Sequence, residues 1–269
     1  MQYDLRAMTL RARPNLRRKS ITLREIAPPA TFATDLYLRS YRPIVLLWRE
    51  RIPAIMAEYE RTLSSMTTDS PADVQREIEA GEATFTRIFL ELSAGVRLWT
   101  LRTEEWTRAR WRGAVLSATG VDVGTLVGAG DMRATIEATI ARNVGLIRDV
   151  SAQAQGRITD AVFRGLNQRL PARDVAREIR GAVDMSQRRA IGIASHQLSD
   201  ISNRLADERR REAGLDEYEW IHSRKRNGRP EHIARNGKIY SDKNPPPTLA
   251  GAEPYCGCRT RAHIDFGDD

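Results

Sequence analysis

The sequence predicts a mainly α protein: an elongated helical bundle followed by a small C-terminal α+β module with a short antiparallel sheet. Three observations predict it. Apolar residues recur at steps of three and four over long runs between Leu38 and Leu205, the spacing of one helical face. Proline, glycine and capping residues fall between those runs rather than within most of them. Only after Gly214 does the period change to strand-like alternation. With 269 residues the chain can bury a real core, and 29% charged residues make it polar without making it disordered by composition.

Residues 1–30 are expected to form a basic extended arm. Arg13-Pro14 and Pro28-Pro29 oppose regular helix, and Ser20-Ile21-Thr22-Leu23 could add a strand to a neighbour. In isolation such an arm is expected to stay mobile. Residues 31–170 are expected to form a helical domain. Its first face runs through positions 38, 41, 45, 48, 52, 55, 59 and 63, interrupted by Pro43 and Pro53, which predicts two helices or a kink. Ser70-Pro71-Ala72-Asp73 reads as a helix start, with serine at the N-cap and proline in the first turn. A second face follows through Phe85, Ile88, Phe89, Leu92, Val96, Trp99 and Trp106. Glycines between Gly120 and Gly130 break it. Asp131 precedes a third run through Ile136, Ile140, Val144, Ile147, Val150, Ala154, Ile158 and Val162.

Residues 171–269 are expected to form the last module, with helices over 172–213 and a small α+β tail over 215–269. Pro171 closes the third run, Ala172 to Ala182 forms a short helix, and Ser186 caps the next. Ala190, Ala194, Leu198, Ile201 and Leu205 give that helix its apolar face. Arg209-Arg210-Arg211 suits the last turn and its dipole, and Gly214 suits the C′ position. Tyr218 to Ser223, Gly237 to Tyr240 and Thr260 to Phe266 are the strand candidates. Asn236-Gly237 is a tight-turn signal. No solenoid repeat or sustained heptad array is present.

Net charge is +8, and only Lys19, Lys225, Lys238 and Lys243 are lysine. The arm carries seven basic and two acidic residues, whereas residues 216–269 carry nine of each. Most arginines on helices are expected to be solvated or ion-paired. Arg13, Arg17, Arg18 and Lys19 in the arm, with Arg224, Lys225 and Arg226 after the first tail strand, are the candidates for contact with a partner or DNA. No apolar run approaches the ~20 residues that span a membrane. The first 24 residues lack the apolar block of a secretory signal.

Cys256 and Cys258, two residues apart, cannot staple distant elements, which fits a reducing compartment. Trp48, Trp99, Trp106 and Trp111 lie on helical faces and read as core. Of the four histidines, His196 belongs at a helix boundary or surface, and His263 lies in the last strand candidate. His222 and His232 share the tail with the two cysteines, and two Cys with two His suit tetrahedral zinc. The Cys-x-Cys spacing is tighter than the usual zinc loop, and His222 could face away. The spacing therefore favours no cofactor, with these residues locking the proline loop by packing and hydrogen bonds; zinc is the alternative. A nuclease would need carboxylates to hold a metal and orient water. Only Glu231, Asp242 and Asn244 are near in sequence, and no Walker loop, nucleophile elbow or His-Glu-x-x-His is present.

The order of motifs carries a further reading. Trp220 comes first, then Arg229-Pro230-Glu231-His232, Asn236-Gly237 and Cys256-Gly257-Cys258-Arg259, after a long arginine-rich helix. This order resembles the phage head morphogenesis family, the Mu F-like minor head proteins of tailed phages. The resemblance is most specific over about 172–266. It extends more loosely to Tyr41-Arg42-Pro43-Ile44-Val45 with Trp48, and to Ala118-Thr119-Gly120-Val121-Asp122. It departs where family helices often carry Ala-Arg-Thr-Glu, since Ala194-Ser195-His196-Gln197 stands here. It departs again where Arg224-Lys225-Arg226 replaces an acid before the Arg-Pro-x-His element.

The resemblance implies a non-enzymatic minor head protein in the virion head interior or neck, and in the host cytoplasm during assembly. It implies the portal protein and major capsid protein as partners, possible contact with packaged DNA, and a role in head assembly and DNA packaging or delivery. The alternatives are a metal-dependent nuclease, a DNA-binding protein carried in the head, or an effector delivered with the genome. For the last of these, no residues remain for an extra domain after Asp269.

Overall fold

The computed structural model describes residues 2–65, 71–128 and 130–267. Ser70, expected as an N-cap, lies outside the described residues. The chain is mainly α, with helices α1 (Leu5–Ala12), α2 (Thr31–Leu36), α3 (Arg42–Ser65), α4 (Pro71–Thr119), α5 (Arg133–Gln168), α6 (Ala172–Glu212) and α7 (Pro230–Ala234). Strands β1 (Ser20–Thr22), β2 (Glu217–Ile221), β3 (Ile239–Ser241) and β4 (Arg259–Asp265) form one antiparallel sheet in the order β1-β4-β2-β3.

Two compact units divide these elements. The first comprises 1–32, 100–139 and 195–269, and the second comprises 33–99 and 140–194. Helices α4, α5 and α6 each contribute a stretch to both. The chain passes between the units at 32/33, 99/100, 139/140 and 194/195, the last three inside the long helices α4, α5 and α6.

In the second unit much of the predicted faces is buried, although Leu38 is exposed and Phe85, Ile88 and Phe89 are half-buried. Tyr41, Val45, Trp48, Ile52, Ile55 and Tyr59 point inward, as do Ile147, Val150, Ala154, Ile158 and Val162. Close approach is written in small residues. A Cβ on Gly81 would stand 2.8 Å from the Trp48 ring, and one on Gly165 would stand 2.5 Å from Val175. Three buried side chains are paired: Trp48 Nε1 donates to Ser151 Oγ at 3.1 Å, Tyr41 Oη to Asn143 at 3.2 Å, and Tyr59 Oη to the Leu170 carbonyl at 2.7 Å. Of the helical tryptophans, Trp48, Trp99 and Trp111 are buried and Trp106 is half-buried.

Two expected breaks are absent. Pro43 and Pro53 do not divide α3, which runs on with Pro53 inside it. The adjustment comes earlier, as a π-helical turn over Tyr37–Tyr41 that ends with the Arg42 amide donating to the Tyr37 carbonyl. A wider turn suits the position ahead of Pro43, which has no amide hydrogen to give. Ser186 does not cap a second helix either. It sits inside α6 and donates its hydroxyl to the Ala182 carbonyl at 3.0 Å, a back-bond that lets serine occupy a helix interior.

The arm also differs from its expectation. Residues 5–12 are helical, with Asp4 accepting from the Ala7 amide as N-cap. Ile21 pairs with Ile264, placing β1 at the edge of the chain's own sheet. Leu5, Ile21 and Leu23 are buried in one cluster with Trp111, Val115, Leu215, Ile264 and Phe266. Alternation in Ser20–Leu23 marks a strand, but its partner lies some 240 positions away, so local sequence shows only that it could pair. Removal of the arm would take those three apolar side chains out of the core, so it cannot be thermally neutral.

Helix α6 ends as its sequence predicts. Gly214 has φ +69°, its amide donates to the Arg211 carbonyl, and the Leu215 amide donates to Arg210 at 3.1 Å. These two bonds are those of a Schellman cap. The Tyr3 and Leu5 amides bond the Glu212 and Ala213 carbonyls at 2.7 and 3.0 Å. The beginning of the chain thus satisfies the helix end.

Candidate functional site

Two constellations stand out in the first unit: a buried arginine cluster at the end of α6, and a histidine–cysteine cluster in the tail. Arg209 is 1% exposed. Its guanidinium donates to Glu104 at 2.9 Å, to Glu212 at 2.8 Å and to the Gly128 carbonyl at 2.8 Å. Arg210 donates to the Leu215 carbonyl at 2.8 Å and to both oxygens of Asp242, at 2.6 and 3.2 Å, and lies over the Tyr218 ring. Arg211 adds a bond to Asp242 at 3.1 Å. Burial pushes the Asp207 carboxyl up despite Arg210 and Arg211 beside it. Burial acts the same way on Asp242, but hydrogen bonds from the two arginines outweigh it and lower its pKa. The arginine run expected in the last turn of α6 is thus partly an interior ionic network. Asp242, one of three residues considered for a nuclease, is held within it.

The tail cluster is built by three segments. Helix α7 starts at Pro230, a residue suited to a first turn, and presents His232, which is 2% exposed. The proline loop returns Cys256 and Cys258, 4% and 2% exposed. Strand β2 supplies Trp220, whose ring meets the His232 ring edge-on at 5.2 Å between centroids. Trp220, Ala250, Cys256 and Cys258 form one apolar cluster with Tyr240 against it.

The loop is fastened at several points. Arg229 pairs with Glu253 at 2.9 Å, Arg235 donates to Thr248 Oγ1 at 2.8 Å, and Asn203 of α6 donates to the Cys258 carbonyl at 3.0 Å. Gly251, at φ +77°, lets the loop lie against α6: a Cβ there would stand 2.3 Å from the Asn203 amide nitrogen.

Both sulfurs face one atom. Cys256 Sγ lies 3.5 Å and Cys258 Sγ 3.8 Å from His232 Nδ1. The three donor atoms all fall within 4.8 Å of one another. On its other side, His232 Nε2 lies 3.5 Å from Glu253 and 3.5 Å from Thr248 Oγ1. A hydrogen bond with Cys258 holds the Cys256 thiol well below its ordinary range, against the opposing effect of burial. The backbone amides of Cys258 and Gly251 assist. That same bond and burial push the Cys258 thiol up.

The structure brings His232, Cys256 and Cys258 together and leaves out the fourth expected donor. His222 is half-buried at the end of β2. Its Nδ1 accepts from the Arg224 amide at 3.1 Å, and a Cβ on Gly228 would stand 2.6 Å from its Nε2. His263 bonds Thr22 of β1 at 2.8 Å, and His196 is half-buried, as its boundary position suggests. Glu253, which the sequence reading did not single out, is the acid that faces the cluster; its distance from His232 in the chain gave no signal.

The basic candidates lie on the surface. Arg13, Arg17, Arg18 and Lys19 are exposed between α1 and β1, and Arg224, Lys225 and Arg226 are exposed after β2. Lys225 donates to the Tyr255 carbonyl at 2.6 Å.

Comparison with known proteins bears on the same stretch. Residues 153–263 match the family described as phage Mu protein F like protein. The matched segment begins within α5, takes in all of α6 and the tail cluster, and ends in β4. This supports the resemblance to the phage head morphogenesis family. An "Uncharacterized protein" of Haemophilus influenzae (strain ATCC 51907 / DSM 11121 / KW20 / Rd) is 27% identical over 129 residues, covering 48% of this chain. The match spans 29% of that protein's length. No solved structure matches the chain.

Proposed function

We propose, from a chain that is phage Mu F-like over residues 153–263, that this protein is a non-enzymatic minor head protein of a tailed phage. In this reading it associates with the portal and acts in head assembly and in DNA packaging or delivery. The family match is the observation that carries the proposal. The structure is compatible with a scaffold role, because the matched segment is fastened by internal pairs. Arg210 grips Asp242, Arg261 grips Glu219 through both carboxylate oxygens at 2.8 to 3.1 Å, and α6 reaches the tail through Asn203.

The portal protein and the major capsid protein are the proposed partners. Exposed basic segments at 13–19 and 224–226 are the proposed contacts with them or with packaged DNA, since clustered arginine suits phosphate and carboxylate groups. The head interior or neck is the proposed location.

The nuclease alternative is tested on the full chain with duplex DNA and Mg²⁺, Mn²⁺ or Zn²⁺. No cleavage is expected with any of them. Metal-dependent cleavage by wild-type protein that is lost in Glu253→Gln would overturn the non-enzymatic reading.

A further inference from the structure

We propose that His232, Cys256 and Cys258 form a zinc site, with His232 Nδ1 and the two thiolates as ligands and a non-protein donor at the fourth corner. One atom, His232 Nδ1, has an excess of partners. A neutral imidazole nitrogen offers either one hydrogen or one lone pair, in the ring plane. Here two sulfurs approach the same Nδ1, at 3.5 and 3.8 Å. A hydrogen bond accounts for one of those approaches and leaves the second unexplained. A metal between them accounts for both. With Zn–S near 2.3 Å and Zn–N near 2.0–2.1 Å, a tetrahedron places sulfur and nitrogen about 3.5 Å apart. The observed separations fall close to that edge.

The surroundings are those of a ligand set. His232 Nε2 faces Glu253 at 3.5 Å, the carboxylate–histidine arrangement that orients a metal-bound imidazole. The three residues are at most 4% exposed. Among the described residues no further His, Cys, Asp or Glu joins the group. His222, directed elsewhere, is not a ligand. The sequence spacing favours packing because Cys-x-Cys is tight, but the ligands here come from a helix and a loop that fold onto each other. Such a site fastens α7 to the proline loop beneath Trp220.

The test is elemental analysis of full-length protein purified without chelator or a metal-affinity column. About one zinc per chain is expected, falling at least several-fold in Cys258→Ser and unchanged in His222→Ala. If Cys258→Ser does not fold, wild-type protein stripped of metal and titrated with Co²⁺ supplies the second readout: a thiolate-to-cobalt charge-transfer band at one equivalent. Folded wild-type protein with neither zinc nor that band would overturn the proposal. Loss of zinc in a folded His222→Ala variant would overturn the ligand set.

Discussion

Replacing Trp220 by alanine is expected to destabilise the tail by about 3–5 kcal/mol, the range for deleting a large buried aromatic side chain. Trp220 is fully buried, and its neighbours are His232, Tyr240, Ala250, Cys256 and Cys258. Arg235 lies over its ring at 5.2 Å. Its position just after the α6 stop suggests an anchor between tail and helix, but these neighbours all belong to the tail, so its loss opens the tail's own core. Trp220→Phe keeps part of the packing and is expected to cost less. Denaturant unfolding followed by far-ultraviolet circular dichroism and tail-specific hydrogen exchange measures both. A Trp220→Ala protein with unchanged tail protection would show that the ring is not the centre of this core.

Arg209→Met is expected to cost about 3–5 kcal/mol, because it removes one side of a buried ion pair and leaves the other uncompensated. Arg209 and Glu104 are 1% and 4% exposed at their side chains. The substitution would strip Glu104 of its 2.9 Å partner and the Gly128 carbonyl of its donor. Arg108 Nε, 3.3 Å from Glu104, offers partial relief. Because the two charges form one unit, their substitutions should not add. Adding Glu104→Gln to Arg209→Met should recover part of the loss, since position 104 then no longer buries a charge that has lost its main partner, although Glu212 still lacks its 2.8 Å contact with Arg209. Simple additivity in the double mutant, or an Arg209→Met protein as stable as wild type, would refute the buried pair.

The fold was legible wherever its cause was local. The faces around Trp48, Trp99 and Ile147 follow from periodicity, and the Gly214 cap follows from a glycine behind a cationic last turn. The candidate cluster was legible by residue type, since His232, Cys256 and Cys258 carry donor atoms that few other residues offer. What escaped depends on distant partners. Ile21 pairs with Ile264, and Arg209 meets Glu104, across separations that no window of sequence spans. An arginine run at a helix end normally faces water, so its burial could be seen only with the fold in hand. Ser186 misled for a different reason: the same hydroxyl that caps a helix can bond back to Ala182 inside one. His222 could be set apart from the cluster only by geometry, because its composition and spacing fit the ligand set as well as those of His232.

The central claim, a portal-associated minor head protein, is tested most directly by co-expressing the full chain with the portal protein of the same phage or prophage. The complex is then purified through a tag on the portal alone. The account predicts that the chain co-elutes with assembled portal rings at a reproducible ratio through size-exclusion chromatography. It also predicts that replacing Arg13, Arg17, Arg18 and Lys19 by glutamate weakens this association without unfolding the protein. A folded wild-type chain that separates completely from the portal, and is absent from purified heads by mass spectrometry, would contradict it.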